Sequence, residues 1–544
     1  MRIEKVCEMR VFIISSYIFF IIYGLILVSG ANFGVIDDHL LLETLLINKP
    51  MPYFIIPEIG RFFPLDAIEY SFTSWFSTSP TIFYSYNFFQ LLVFVLFTQK
   101  LIVRCVPKAN LKLVVLVVVL ILFTPGFVTS WFRLFVPERN VLFFLTIFLY
   151  YFFLFTKSDK VVHGFIALAS ANIALYYKEP VFLLLGSFII FYTLSTWRTS
   201  NFKQVFLNSL IFLSSCVFFA FYFILVYQHK GEYLYGFTSI NPTLVMAKNI
   251  FNGCFADPVI VFMLLPLFFW RLYLLVRGVR RFNAFFDSLV FSSVVYVLVF
   301  FKLNMYAYHY LLPIYVFAIP AILYFFINDM LYRRKAFRFF GALSLLFILF
   351  SSLPTAIHLI SYYKNVPNNF QKSLTFLVEY IQKESGNGKK VSLFIDGVNK
   401  GSGVEVYKSY IKNLEFRQLD SSKFNIKVTE VDDGMGTVSQ VNNGSPYAVF
   451  SQTTPSQIHK GDLLIISPYS NRYVGLKKNE IKLMLSEYDV IFHADSFMEV
   501  PDLGIKSILK YGFMRANFSS ENDKTMISKN VFQLPLDFYV LKKN

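Results

Sequence analysis

The sequence predicts a polytopic α-helical membrane protein of about 11 spans, with a C-terminal α/β domain outside the membrane. Three observations carry this. Of 544 residues, 56% are hydrophobic, only 15% are charged, and Phe occurs 67 times. A soluble fold of this size needs a more charged surface. Apolar runs of about 17 to 25 residues recur along the chain, the length that crosses a bilayer core ~30 Å thick. Beyond about residue 361 the composition changes, and Lys, Ser, Asn, Asp and Gly become frequent. The net charge of +16 does not indicate nucleic acid, because the cations gather in short loops between apolar runs, where they set orientation.

The spans are expected at roughly 11–30, 81–103, 112–130, 139–156, 161–177, 180–197, 205–227, 257–276, 287–301, 310–328 and 339–360. The basic start (Arg2, Lys5, Arg10) and the run Val11 to Val28 resemble a signal peptide, with Val28-Ser29-Gly30-Ala31 as a cleavage site. That run is long for a signal core, so it reads as an uncleaved first span. Alternate loops are basic: Arg104, Lys108 and Lys112; Lys157 and Lys160; Arg198 and Lys203; Arg271, Arg277, Arg280 and Arg281; Arg333, Arg334, Lys335 and Arg338. All of them fall on one side when the N-terminus is cytoplasmic. Residues 1–360 then form the membrane domain and 361–544 lie outside. In the tail, 391–396, 462–467 and 488–495 read as buried strands, 479–488 and 501–512 as helical segments, and 415–460 as loop. No Gly-rich phosphate loop follows a predicted strand. Four cysteines, Cys7, Cys105, Cys216 and Cys254, show neither metal spacing nor a disulfide framework, and none lies in the tail.

The first outer loop, 31–80, opens with "GVIDDHLLLE". A helix beginning at Asp38 is expected there, with Leu41, Leu42, Leu45 and Leu46 on its apolar side. Leu65, Ile68, Phe72, Trp75 and Phe76 recur at helical spacing, with Glu69, Thr73 and Ser74 between them, the pattern of an interfacial helix. Asp37, Asp38 and His39 have three readings. Asp37 caps the helix, the group holds a cation, or one acid is a catalytic base. Metal ligation by His39 lacks a second His at i+4.

Charges recur at the other outer turns: Glu58 and Arg61; Arg133, Glu138 and Arg139; Lys178 and Glu179; His229, Lys230 and Glu232; Lys302, Asn304, Tyr308 and His309. A charge at membrane depth costs roughly 2.5–3.5 kcal/mol on insertion scales. Pairing or ligand binding in a shared pocket offsets that cost. The bland reading is that Arg139, Lys178 and Lys302 snorkel to headgroups.

The acidic pair after the first span, the first loop with interfacial helices, "YYKEP", "YHYLLP" and the polar tail together resemble the type C glycosyltransferases. Members of that family take sugars from polyprenyl-phosphate or polyprenyl-diphosphate donors. The resemblance covers about 1–360, and the tail shows no recognisable sugar-binding motif. It implies that Asp37 or Asp38 is the catalytic base or a metal ligand. It also implies that Arg61, Arg139, Lys178, Lys302 and His309 hold the donor phosphate, with Glu58, Glu138, Glu179 and Tyr308 in support. The chemistry agrees. An acceptor hydroxyl needs a base, and a phosphate leaving group needs cations rather than a general acid. A single displacement would invert the anomeric centre. The expected acceptor is a cell-envelope glycan or other acceptor at the outer face of a bacterial plasma membrane, because the tail lacks cysteines. No cofactor is indicated beyond a possible divalent cation. Competing readings are an outer-face glycan polymerase or ligase, which uses arginine-rich middle loops, a transporter or flippase of lipid-linked glycans, and a membrane scaffold that displays the tail. The transporter predicts buried mid-span charges and broken helices.

Overall fold

The computed structural model describes residues 2–229, 242–303, 305–395, 400–429, 452–453, 458–470, 486–494, 496, 500–517 and 536–544. The chain forms two compact units. One comprises Met1–Ser29, Pro52–Thr73 and Phe83–Ala356, and the other Gly30–Met51, Ser74–Ile82 and Ile357–Asn544.

The first unit is helical. Its helices are α1 (Arg2–Val28), α3 (Ile68–Thr73), α4 (Pro80–Cys105), α5 (Leu111–Leu122), α6 (Pro125–Trp131), α7 (Glu138–Ser158), α8 (Val161–Tyr177), α9 (Val181–Thr196), α10 (Phe202–Leu225), α11 (Pro242–Ala256), α12 (Leu265–Val276), α13 (Ala284–Lys302), α14 (Tyr315–Asn328) and α15 (Lys335–Phe347). Among the described residues, six helices are long and apolar enough to cross a membrane, or up to eight if each of two bent pairs is one span. This is an integral membrane protein. Its α1 shows the solvent it expects: Ile14, Ile18, Ile21 and Leu25 form an exposed stripe, while Phe20, Tyr23 and Leu27 are buried. Within the bundle α7 packs on α8, α9 on α10 and α13, and α13 on α14.

One expected span, 112–130, is broken, and a second bend stands where the span expected at 257–276 begins. Between α5 and α6 the chain bends by 66°. There Thr124 caps α6, accepting from the Phe127 N–H, and Pro125 takes the first turn. Between Ala256 and Ile260 the bend is 100°, at Asp257-Pro258. A proline lacks the N–H of a continuous helix and crowds the preceding turn.

The second unit is α/β. It contains α2 (His39–Leu46), the part of α16 (Leu353–Gly386) from residue 357 onward, α17 (Lys400–Phe416), α18 (Ile505–Asn517) and a six-stranded sheet. The strands are β3 (Val391–Ile395), β4 (Phe424–Thr429), β5 (Gln452–Thr453), β6 (Leu463–Ile466), β7 (Tyr488–Ala494) and β8 (Phe538–Lys543), in the order β5-β4-β3-β6-β8-β7. The pairs β5–β4, β4–β3 and β3–β6 are parallel, whereas β8 runs antiparallel to β6 and β7. Alternation along β3 places Leu393 and Ile395 under Phe370, Leu374, Leu377 and Ile381 of α16, and Phe394 on the opposite face. The three strands expected in the tail and the helix near 501–512 are present. The stretch 415–460, expected to be loop, contains β4 and β5. Of the helical segment at 479–488, residues up to 485 lie outside the described residues, as do Lys230, Glu232 and Asn304.

The segment from Gly30 to Met51 belongs to this α/β unit, and α2 packs on α17. Gln371 donates to the Phe33 carbonyl at 3.0 Å, and the Ser409 hydroxyl donates to the Val35 carbonyl. Leu41 and Leu42 are buried as expected, but Leu46 is exposed, because His39 and Thr44 share the buried side.

Candidate functional site

A hairpin supplies the first cation. Strand β1 (Phe54–Ile56) pairs antiparallel with β2 (Arg61–Phe63), Ile56 opposite Arg61. The turn between them ends on Gly60 at φ 73, a left-handed conformation that favours glycine. Arg61 Nε donates to Glu179 Oε1 at 2.9 Å, and the Phe62 N–H donates to the same oxygen at 2.8 Å. Burial raises the Glu179 carboxyl, but Arg61, Lys178 and the Phe62 amide outweigh it and hold the group below its ordinary value.

The neighbouring pairs interlock across the chain. Lys178 Nζ lies 3.0 Å from Glu138 Oε1, and His309 Nε2 lies 3.9 Å from Glu138 Oε2. Glu138 and Arg139 are both fully buried at the start of α7. Arg139 Nη2 donates to Glu69 Oε1 and to the Tyr70 hydroxyl, each at 2.8 Å. Asn140 donates to Glu69 Oε1 at 2.7 Å, and the Tyr177 hydroxyl donates to Glu69 Oε2 at 3.1 Å. Lys178 also sits over the rings of Tyr310 and Phe63, at 5.4 and 5.9 Å. Burial pushes the His309 imidazole down to about 4, with Glu138 opposing and Lys178, Arg133 and Arg61 reinforcing, so it is neutral at pH 7.

One acid in this cluster has a different status. Asp66 is 6% exposed, and among the described residues no hydrogen-bond donor reaches its carboxylate. Burial raises its pKa well above the ordinary value. Glu69 and Glu138 add to the rise, and Lys178 and Arg139 oppose it. The next residue, Ala67, has φ 60, a left-handed conformation that costs a non-glycine residue roughly 1–2 kcal/mol. The Leu65 N–H donates to the Tyr176 carbonyl at 3.1 Å and ties this turn to the end of α8. Cations and acids from the α1–α4, α6–α7, α8–α9 and α13–α14 connections thus meet in one cluster.

The structure accordingly redistributes the expected roles. Arg61, Arg139, Lys178, His309, Glu138 and Glu179 come together. Arg139 and Lys178 are engaged in buried pairs, so the snorkelling reading fails for both. Lys302 is exposed at the end of α13 and makes no ion pair among the described residues, and Glu58 is exposed on the hairpin turn. Tyr308 contributes its backbone: a Cβ on Gly126 would lie 2.5 Å from the Tyr308 carbonyl oxygen, so α6 and this loop touch. Glu69 was assigned to the polar face of an interfacial helix. Instead α3 is short and buries Glu69 and Tyr70, leaving Phe72, Trp75 and Phe76 exposed. Asp66 was not singled out at all. Its only signal was the acid pair at i, i+3 in "LDAIEY", inside an aromatic-rich loop.

Asp37 and Asp38 belong to the α/β unit. The capping reading is corrected. Helix α2 begins at His39, Asp38 occupies the N-cap position without a side-chain cap bond, and its Oδ2 accepts from the Gly34 N–H at 2.6 Å. Asp37 is left-handed at φ 69, which Asp tolerates better than most residues. Among the described residues no three His, Cys, Asp or Glu side chains gather as a metal site.

An apolar cavity of about 150 Å³ lies at the two helix breaks, lined by Leu120, Thr124, Pro258, Val259, Tyr315 and Ile319 among others. Beside it Asp257 is 1% exposed and accepts from the hydroxyls of Tyr306 (3.2 Å) and Tyr315 (3.1 Å).

No family model and no curated protein matches the chain. Solved structures do. The chain is similar to a crystal structure of ArnT from Cupriavidus metallidurans bound to undecaprenyl phosphate, at 10% identity and a TM-score of 0.45, covering 88% of this chain and 96% of that one. It is also similar to the Archaeoglobus fulgidus oligosaccharyltransferase in complex with zinc and sulfate, at 11% identity and a TM-score of 0.38, covering 96% of this chain and 88% of that one.

Proposed function

We propose that the protein is a membrane glycosyltransferase that moves a sugar from a polyprenyl-phosphate donor to a glycan or other acceptor outside the cytoplasm. The observation that supports this best is the buried cluster itself, where Asp66, with no hydrogen bond among the described residues, lies within the field of Lys178 and Arg139. Near-complete burial raises the proton affinity of Asp66, which suits a general base. In the proposed step the acceptor oxygen attacks the anomeric carbon and its proton passes to Asp66. The bond from that carbon to the phosphate oxygen breaks, and its electron pair leaves with the phosphate. Lys178 and Arg61 stabilise that oxyanion, exchanging part of their interaction with Glu138 and Glu179 for the phosphate. The reaction inverts the anomeric centre. The prenyl chain would lie in the apolar cavity at the helix breaks, which meets the cluster through α6 and the loop carrying Tyr308. With the basic turns cytoplasmic, the cluster faces outward.

Transfer of labelled sugar from a panel of polyprenyl-phosphate sugars, by purified protein in lipid, tests this reading. Asp66→Asn, Asp37→Asn and Asp38→Asn run beside wild type, so the acids expected from sequence enter the same comparison. Loss of transfer in Asp66→Asn alone supports the assignment. Loss only in Asp37→Asn or Asp38→Asn moves the base to that pair. A retained anomeric configuration sinks the single displacement.

A transporter of lipid-linked glycan is the second reading. The two broken helices, with Asp257 buried at one of them, favour it. It predicts donor movement across proteoliposomes with no sugar transferred.

A further inference from the structure

We propose that the groove between α16 and the edge strand β7 binds a pyranose-containing glycan, which on the transferase reading above is the acceptor or the growing product. The groove lies wholly within the α/β unit. Its volume is about 380 Å³ and it is lined by Lys372, Thr375, Phe376, Glu379, Phe492 and Ala494, with His493. That size is ordinary for a small-ligand cleft, roughly 300–1,000 Å³.

The lining combines two chemistries along its length. Phe376 and Phe492 stack with centroids 4.7 Å apart and planes at 17°, and Tyr380 continues the row, 5.9 Å from Phe376. These rings pack against the core of the unit, so their positions are fixed before any ligand arrives, which lowers the cost of binding. Beside them Lys372, Thr375 and Glu379 stand exposed on α16. The Thr375 hydroxyl is oriented from both sides, donating to the Gln371 carbonyl at 3.0 Å and accepting from Arg417 Nη1 at 2.9 Å. A pyranose has the matching pattern. Its C–H face carries slight positive charge and settles on the negative face of an aromatic ring. Its hydroxyl rim accepts from an ammonium and donates to a carboxylate.

Two other occupants fit less well. A lipid chain would leave Lys372 and Glu379 against hydrocarbon. An extended peptide adding to β7 needs a regular edge. Strand β7 shifts register between Val490 and Phe492, and such a bulge spoils an edge for further pairing. The same bulge leaves Phe492 opposite Val540, whose side of the sheet faces α16.

The test uses full-length protein in nanodiscs over immobilised oligosaccharides of the gluco, galacto, manno, deoxyhexose and N-acetylhexosamine series, with an extended-peptide library alongside. Wild type is expected to retain one glycan series. The exposed double variant Lys372→Ala/Glu379→Gln and the conservative Phe492→Leu should each weaken it at least tenfold while melting like wild type. Retention of no glycan above empty nanodiscs overturns the proposal, as does unchanged binding in both groove variants or retention of peptides alone. Glycan binding by a wild-type protein that transfers no sugar leaves the groove standing and removes the transferase reading.

Discussion

Asp66 and Glu69 sit three residues apart, both buried, yet removing their charges should have opposite consequences. Glu69 is held by Arg139, Asn140 and Tyr177 at 2.8, 2.7 and 3.1 Å. Glu69→Gln keeps one acceptor oxygen but leaves the fully buried Arg139 without its counter-ion. Breaking a buried pair costs about 3–5 kcal/mol. Tyr70 and the carbonyls of Arg133 and Leu134 still accept from Arg139, so about 3 kcal/mol is expected. Asp66→Asn loses no hydrogen bond among the described residues and relieves repulsion from Glu69 and Glu138. Asn also carries no charge to bury, so it is spared the desolvation that raises the proton affinity of Asp66. Asp66→Asn should therefore melt at or above the wild-type temperature yet lose about 10²- to 10⁴-fold in transfer rate, the usual share of a general base. Thermal unfolding by size-exclusion fluorescence and single-turnover transfer read the two quantities. An Asp66→Asn protein that transfers within threefold of wild type refutes the base assignment. One that melts well below wild type refutes the account of its burial.

Gly126→Ala places a methyl 2.5 Å from the Tyr308 carbonyl oxygen, so the loop carrying His309 must shift. A cost of about 1–3 kcal/mol and a drop in transfer are expected although no charged group changes; unaltered turnover would show that this contact does not position the loop. Arg271 grips Asp287 through two bonds of 2.7 Å, and Asp287 also accepts from the Asn283 N–H at 2.6 Å. Arg271→Ala should destabilise by about 3–5 kcal/mol while leaving turnover per folded molecule unchanged, as read by activity normalised to monodisperse protein. In the α/β unit burial lowers His39 to about 3, with Lys408 and Lys412 adding. Because the unfolded imidazole takes a proton near pH 6.5 and the folded one refuses it, this contribution is complete above about 6.5. It is lost as pH falls from 6.5 towards 3. His39→Gln should flatten the melting temperature across that window, and an unchanged slope would show that His39 does not set it.

Much of the fold was legible because lipid imposes a simple rule on sequence. Apolar length fixed where helices run, and the strands of the tail announced themselves as short runs such as Leu463–Ile466. The breaks were not legible from hydropathy. Thr124-Pro125 interrupts the backbone inside the span expected at 112–130, and Asp257-Pro258 bends it where the span expected at 257–276 begins; the local chemistry of a cap or a proline marks both. The course of the first loop was also hidden. Residues 30–51 join an α/β unit whose other elements lie more than 300 residues later, through helix residues such as Gln371 and Ser409 that no local pattern connects to Phe33 and Val35.

The candidate site shows where reading by spacing reaches its limit. The cations Arg61, Arg139 and Lys178 stood out because charges at span ends demand a reason, and the structure supplies one for each in Glu179, Glu69 and Glu138. The acids were harder to rank. Asp37 and Asp38 are conspicuous in sequence because they are adjacent and follow a span. Asp66 is inconspicuous, a single acid in "FPLDAIEY" amid aromatic residues. Conspicuousness measures local contrast, whereas the cost of a buried charge depends on which donors the fold brings to it. Glu69 acquires three and becomes structural. Asp66 acquires none among the described residues and keeps its affinity for a proton. That difference is created by α7 and α8 arriving at the same turn, some 70 and 108 positions away, and it is what makes Asp66, rather than its better-paired neighbour, the acid to test first.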